Sequence, residues 1–283
     1  MKVQIFTFLS VLFVVGFSAK AQKKDVNAIA DSIQQEAKRI YNSEMASWHG
    51  TDIFLAKLKH KQAQIGGYIS YDAGNSVKNV FFSKGDSPDV LSTITFDYSF
   101  DLNNYKIDTI ARKLTTAENE LVVLRSKAIE TSKTDTSFKR YQNTNLNFIP
   151  LIYNGFKRVY ILTGPTVSNV IVFGNDYLIE FDQSNNILSK KKLHRNILPM
   201  QTKHGDGQTA GVHNHQPETG DFITATDVCT LMLYKNITDW KTHYVLSKNY
   251  VSSWDMAKGG MVVLTMDAWK RIANDTAGKK PAN

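Results

Sequence analysis

An α+β fold follows from three features of the sequence. An apolar face recurs at helical spacing after residue 25, β-rich runs begin at Gly66, and later helical periods interrupt those runs. In the first feature, Val26, Ile29, Ile33, Ala37 and Ile40 recur at three- and four-residue steps, which predicts a helix from about Asp25 to Met45. The runs Tyr68–Tyr71, Val80–Phe82 and Leu91–Phe96, separated by Gly, Asp, Asn and Pro, predict a small antiparallel sheet. Thr115 or Thr116 can cap a second helix reaching Thr131, with Glu118 and Glu120 in its opening turns and Leu121, Leu124 and Ile129 near one face. The polar stretch from Thr131 to Asn145 is the best candidate for a boundary, dividing an N-terminal region at 22–145 from a second unit at 146–275.

That second unit opens on the strands Phe156–Leu162 and Asn169–Phe173, then forms a hairpin around Asp182–Asn186. A loop from His204 to Gly211 leads into a short strand ending in His213-Asn-His215, and a helix is expected over about Ala225 to Asn236. Two strands, Tyr244–Leu246 and Met261–Thr265, close the chain before a helical turn around Trp269 and a flexible tail at 276–283.

The first residues read as a cleaved secretory signal. Lys2 is the positive start, Ile5 to Phe17 is an apolar run, and Ala19-Lys20-Ala21 is a small-x-small cleavage site that places the signal at 1–21. The run is shorter than the roughly 20 residues a spanning helix needs. The expected location is therefore periplasmic or secreted, with no transmembrane segment after cleavage. Cys229 is the one cysteine and cannot form an internal disulfide. The formal net charge of +8 includes Lys2 and Lys20 of the signal and is otherwise dispersed, with only Lys190–Lys192 clustered. Nucleic-acid binding would want that charge gathered on one face with aromatics among it, so no nucleic acid is expected.

One segment carries candidate chemistry, Gly211 to Asp227. His213 and His215, two apart on a strand, point to the same face, as two imidazoles sharing a metal must. Asp227 stands three residues after Thr224 at a helix start, where its carboxylate can turn back toward the strand. Two imidazoles and a carboxylate leave a tetrahedral Zn²⁺ one open position for water. The same residues also suit a bland reading: a polar strand face, and a capping box made by Thr224 and Asp227. His204 could approach the metal but reads as a solvent-exposed loop residue; His194 and His243 carry no motif. Cys229 reads as packing.

The run from His213 to Asp227 resembles the signature of the JAMM (JAB/MPN) metalloprotease family: His-x-His, seven residues, Ser, two residues, Asp. Its His-Asn-His opening and Gly220-Asp221 turn look most like the RadC-type branch. The resemblance covers roughly residues 155 to 270 and implies a JAB/MPN-like α/β/α domain with a mixed sheet. It further implies that His213, His215 and Asp227 ligate zinc and that Thr224 stands where a serine supports the oxyanion. Eight residues rather than seven separate His215 from Thr224, and threonine replaces serine. The family's general base is a glutamate on an earlier strand, but Thr166–Ile171 has none. Glu180 is the nearest strand glutamate before the motif and the first candidate for that role, with Glu218 in the loop behind it. The resemblance thus implies an exported zinc hydrolase cutting a peptide or isopeptide bond in envelope or extracellular material. The lack of a glutamate at Thr166–Ile171 leaves open a second expectation, a non-catalytic binding protein that keeps the fold.

Overall fold

Asp25 acts as an N-cap: its Oδ1 accepts from the backbone N–H groups of Asn27 and Ala28 at 3.1 and 3.2 Å. The structure, a computed structural model, describes residues 25–205 and 207–278, so the expected signal at 1–21 lies outside the described residues. The helix that Asp25 opens, α1, spans Val26–Lys57 and outruns the expected end at Met45. Its second half hides its period behind polar residues. There Ala46, Ser47, Gly50, Ile53 and Phe54 continue the buried stripe, and Ser47 Oγ satisfies itself on the Ser43 carbonyl at 2.8 Å.

The strands β1 (Ile65–Asp72), β2 (Val77–Ser83), β3 (Asp89–Phe96) and β4 (Tyr105–Asp108) form an antiparallel sheet in that order, with β5 (Arg112–Lys113) also on β3. Helix α2 (Thr116–Thr134) starts with a full capping box: Thr115 Oγ1 accepts from Glu118 N, and Glu118 accepts from Thr115 N. Glu118 is buried, and its carboxylate also takes Tyr71 Oη at 2.9 Å and both Arg112 amino groups at 2.6 and 2.8 Å.

Beyond the polar stretch, β6 (Thr144–Tyr153) and β7 (Phe156–Pro165) pair over their full lengths. β8 (Val170–Gly174) leaves that sheet, β9 (Tyr177–Phe181) returns to it beside β7, and β10 (Ile187–Lys192) completes the order β10-β9-β7-β6. β11 (Ile197–Gln201) pairs with β8. β12 (Ala210–Asn214) runs parallel to β13 (Thr242–Leu246), and the helix α3 (Ala225–Tyr234) lies between them in the chain. β14 (Tyr250–Asp255) and β15 (Gly260–Thr265) extend this mixed sheet antiparallel. β14 is a strand that the apolar pattern did not reveal, because buried Ser252 sits in its middle. Helix α4 (Met266–Gly278) is longer than the expected turn and carries helical structure into the region expected to be a tail. The class is α+β, and among the described residues no helix is long and apolar enough to cross a membrane.

Helix α1 contributes to the cores of both halves. Its Phe54 packs with Phe81, Ile94 and Phe96 of the first sheet, while Ala37 packs with Ile171, Phe173, Val228 and Leu231 and Ile40 with Ile149 and Leu162. Each large side chain buried this way is worth about 1.5–3 kcal/mol.

Candidate metal centre

The parallel pairing of β12 and β13 brings the end of β12 and the first turn of α3 together, the usual place for a site in a β-α-β unit. His213 and Gly211 face inward on β12, alternating with exposed Val212 and Asn214, and His215 follows directly. The loop between strand and helix turns at Gly220, whose φ of +105° favours glycine. It is pinned by Ser252 Oγ, which accepts from Ile223 N at 3.2 Å.

Thr224 caps α3, with Oγ1 accepting from Asp227 N at 3.1 Å. In return Asp227 Oδ2 accepts from Thr224 N at 2.9 Å and from Thr224 Oγ1 at 2.7 Å. The capping box and the candidate ligand are therefore the same group: the cap fixes the carboxylate, which is 1 % exposed, facing the histidines.

Three imidazoles meet this carboxylate. His215 Nε2 lies 3.1 Å from Asp227 Oδ2, and His213 Nε2 lies 3.2 Å from His215 Nε2 and 3.7 Å from Asp227 Oδ1. The third is His194, whose Nε2 is 3.1 Å from Asp227 Oδ1. Ligand atoms of His194, His215 and Asp227 all lie within 4.8 Å of one another, the tightest such group among the described residues. His213, expected as a ligand, stands beside that group, held by His243 Nε2 at 2.8 Å from its Nδ1.

His194 is the residue that sequence reasoning missed. It arrives just after β10, the strand carrying Lys190–Lys192, and no motif spacing links it to His213. Asp176, on the turn between β8 and β9, backs it: Oδ2 is 3.5 Å from His194 Nδ1, and Oδ1 accepts from Thr163 N at 2.9 Å. A carboxylate behind a ligating imidazole fixes its ring and raises its basicity.

Burial and charge set the protonation states. Burial holds His213 down to about 4 and His243 down to about 3, so both are neutral at neutral pH, the form that binds metal. Burial also works against a charge on His194, but the Asp227 and Asp176 carboxylates outweigh it and push His194 up to about 9. Burial raises Asp176 to about 7, against the pull of His194. For Asp227 burial is overcome by His194 and His215, which hold its carboxyl well below the usual range.

The hydrogen bonds of His215 decide what the centre suits. Its Nδ1 donates to the Phe222 carbonyl at 3.0 Å, so Nε2 is the nitrogen turned to the centre: with a proton it donates to Asp227 Oδ2, and without one it offers a lone pair to a metal. That lone pair faces a carboxylate oxygen and another imidazole nitrogen at 3.1 and 3.2 Å. Acceptors at such distances repel unless a proton or a cation lies among them. Asp227 Oδ1 is buried there without an aligned hydrogen bond. Imidazole and carboxylate donors gathered in one buried site fit a borderline-soft divalent cation, and zinc suits the set.

Around this centre Phe173 stacks against His213 and His243, each at 4.9 Å between ring centroids, and Trp240 covers His243. Gly211 lets β12 approach: a Cβ there would overlap His243 Nδ1 and lie 2.8 Å from the Trp240 ring. On one side of the centre His194 also lines a pocket of about 240 Å³ together with Arg195, Glu218 and Thr219.

Of the other sequence-derived candidates, Thr224 stands at the centre, Glu218 shares a pocket with His194, and the rest lie elsewhere. Glu180 on β9 accepts from Arg158 Nε at 3.1 Å and Ser189 Oγ at 3.0 Å, so its oxygens face β7 and β10 rather than any residue of the centre. Glu218 lines that pocket, 3.7 Å from Arg195. Thr224 Oγ1 lies 3.4 Å from His194 Nε2 and acts on Asp227. His204 bonds Asp239 at 2.8 Å and the Asn236 carbonyl at 2.9 Å. Cys229 is fully buried in the core, and burial pushes its thiol up. Comparison with protein-family models, curated proteins and solved structures finds no match.

Proposed function

We propose that this protein is a zinc-dependent hydrolase of the JAMM kind, exported from the cytoplasm and acting on a peptide or isopeptide bond of an envelope or extracellular protein. The observation that supports it is the convergence of His215 Nε2 and His194 Nε2 on the fixed Asp227 carboxylate, with His194 also lining a pocket. His194, His215 and Asp227 would hold the metal, with His213 alongside. When bound, zinc supplies Lewis acidity and makes water acidic enough to attack a carbonyl near neutral pH.

The chain's own groups do the positioning. Thr224 fixes Asp227, the Phe222 carbonyl sets the His215 tautomer, and Asp176 orients His194. Glu218 shares that pocket with His194, and in this reading it is the carboxylate that accepts the proton.

A second reading has a specific observation behind it. With His194 beside His213, His215 and Asp227, the chain offers four donors, enough to close a tetrahedral zinc entirely. A closed site favours a non-catalytic binding protein.

Zinc content of the purified protein, with and without His213→Ala plus His215→Ala, tests both readings. No stoichiometric zinc in the wild type would sink both. Cobalt substitution then separates them. A visible spectrum that shifts with added azide, together with isopeptide cleavage lost in Glu218→Gln, supports the hydrolase; an azide-insensitive spectrum without cleavage supports the closed site.

A further inference from the structure

A second cavity lies at the opposite end of α3 from the metal centre. It is a groove of about 810 Å³ bounded by α1, the paired ends of β6 and β7, and the last residues of α3. Its lining holds two carboxylates, Glu44 and Asp52, and no lysine or arginine, in a chain whose formal net charge is +8. Three aromatic rings share the wall, Trp48, Tyr68 and Tyr234. Trp48 is 49 % exposed, a large apolar ring left open to solvent at the groove, and its centroid lies 6.3 Å from that of Tyr234.

Glu44 is the informative group. Asn147 Nδ2 donates to its Oε2 at 2.9 Å, and that is the one hydrogen bond it shows among the described residues. The cation whose charge reaches it, Arg125, has other commitments: it stacks on the Tyr68 ring at 4.6 Å and donates to the Phe148 carbonyl at 3.3 Å. Burial pushes Glu44 up to about 7, with Asn147 and Arg125 opposing. The carboxylate is thus short of positive charge where it lines a cavity with aromatic walls. An anionic ligand would meet two carboxylates. A neutral one could donate hydrogen bonds to Glu44 but would bring no positive charge to it. A cation with an apolar stem gains on every side, from the carboxylates and from the ring faces.

We propose that this groove binds a ligand bearing an alkyl ammonium or guanidinium group, seated with its charge at Glu44 and its stem against Trp48 and Tyr234. The chemistry is common to a lysine or arginine side chain of a peptide and to a free polyamine. It rests on no property of the metal centre.

Titration calorimetry and Trp48 fluorescence test it with four probes: spermidine, an acetyl-Gly-Lys-Gly-amide peptide, its Nε-acetyl-lysine counterpart, and cellotriose as a neutral saccharide. Binding of spermidine or the lysine peptide, weakened at least tenfold by Glu44→Gln and by added salt, supports the proposal. The stronger of these two names the source of the amine. Asp52→Asn, at a solvent-facing position, is expected to weaken binding severalfold and guards against a folding effect at Glu44. Equal binding of the acetylated peptide or of cellotriose, indifference to both substitutions, or no binding of either amine at millimolar concentration overturns it. Zinc content is expected to be unchanged in both variants, so this result stands or falls apart from the metal reading.

Discussion

Two of the buried ionic clusters in this molecule, around Glu118 and around Asp227, are built to opposite ends. Around Glu118 every oxygen has donors: Tyr71 and Arg112 on Oε1, Arg112 and Thr115 on Oε2. Its negative charge has one positive charge against it. Around Asp227 three imidazoles crowd one carboxylate, yet Asp227 Oδ1, His194 Nδ1 and His243 Nδ1 are buried without aligned hydrogen bonds. A fully satisfied cluster holds structure together, whereas one that gathers several imidazole nitrogens on a single buried carboxylate suits a cation. The difference separates a structural network from a binding site where a count of buried charges would treat them alike.

The comparison breaks most visibly under chelation. If free zinc stands about a thousandfold above its Kd, removing it should lower stability by about 4 kcal/mol, read as a drop in melting temperature on adding EDTA. A Glu118→Gln variant should show the same drop, because its cluster takes no metal.

Next in size is the acid limb of the Glu118 network. Burial alone would raise its carboxyl, but Arg112, Thr115 N and Tyr71 prevail and hold it down to about 2, below the ordinary 4.5. A carboxylate depressed in the folded state stabilises above its unfolded value, and that contribution disappears as pH falls from about 4.5 toward 2. The full effect is about 3 kcal/mol, one pKa unit being about 1.4 kcal/mol. Denaturant melts of wild type and Glu118→Gln across that range should converge at the acid end; parallel curves would remove Glu118 from the account.

Gly211→Ala should cost about 2 kcal/mol by overpacking. It should also weaken zinc binding, since the new methyl drives His243 and Trp240 away from His213. Unchanged zinc affinity in this variant would mean that the His243 contact has no part in the centre. Smallest is Glu180→Gln, a partly exposed ion pair with Arg158, where a loss below about 1 kcal/mol and full zinc content are expected. Zinc loss there would return Glu180 to the site.

Part of this centre was legible in the sequence. The alternation of a strand puts His213 and His215 on one face, and the Thr224–Asp227 spacing announces a helix cap; both are local rules, and both hold. His194 follows no such rule. It reaches Asp227 only because β10 ends beside α3, a tertiary fact with no periodicity to carry it. Asp176 is hidden for the same reason, since its role depends on a turn between strands of different sheets. In the fold, the missed end of α1 after Met45 and the missed β14 have a common cause: buried serines, Ser47 in the helix and Ser252 in the strand, read as surface until their partners are known.

Helix α1 has a consequence for when this protein becomes itself. Ala37, in the first helix to be made, packs on Val228 and Leu231 of α3, among the last elements to emerge. Contacts so distant in sequence close slowly, and none can form until nearly the whole chain is present. A chain threaded N-terminus first through a membrane would therefore cross it with its metal ligands still apart. The centre would assemble, and take up its ion, only on the far side.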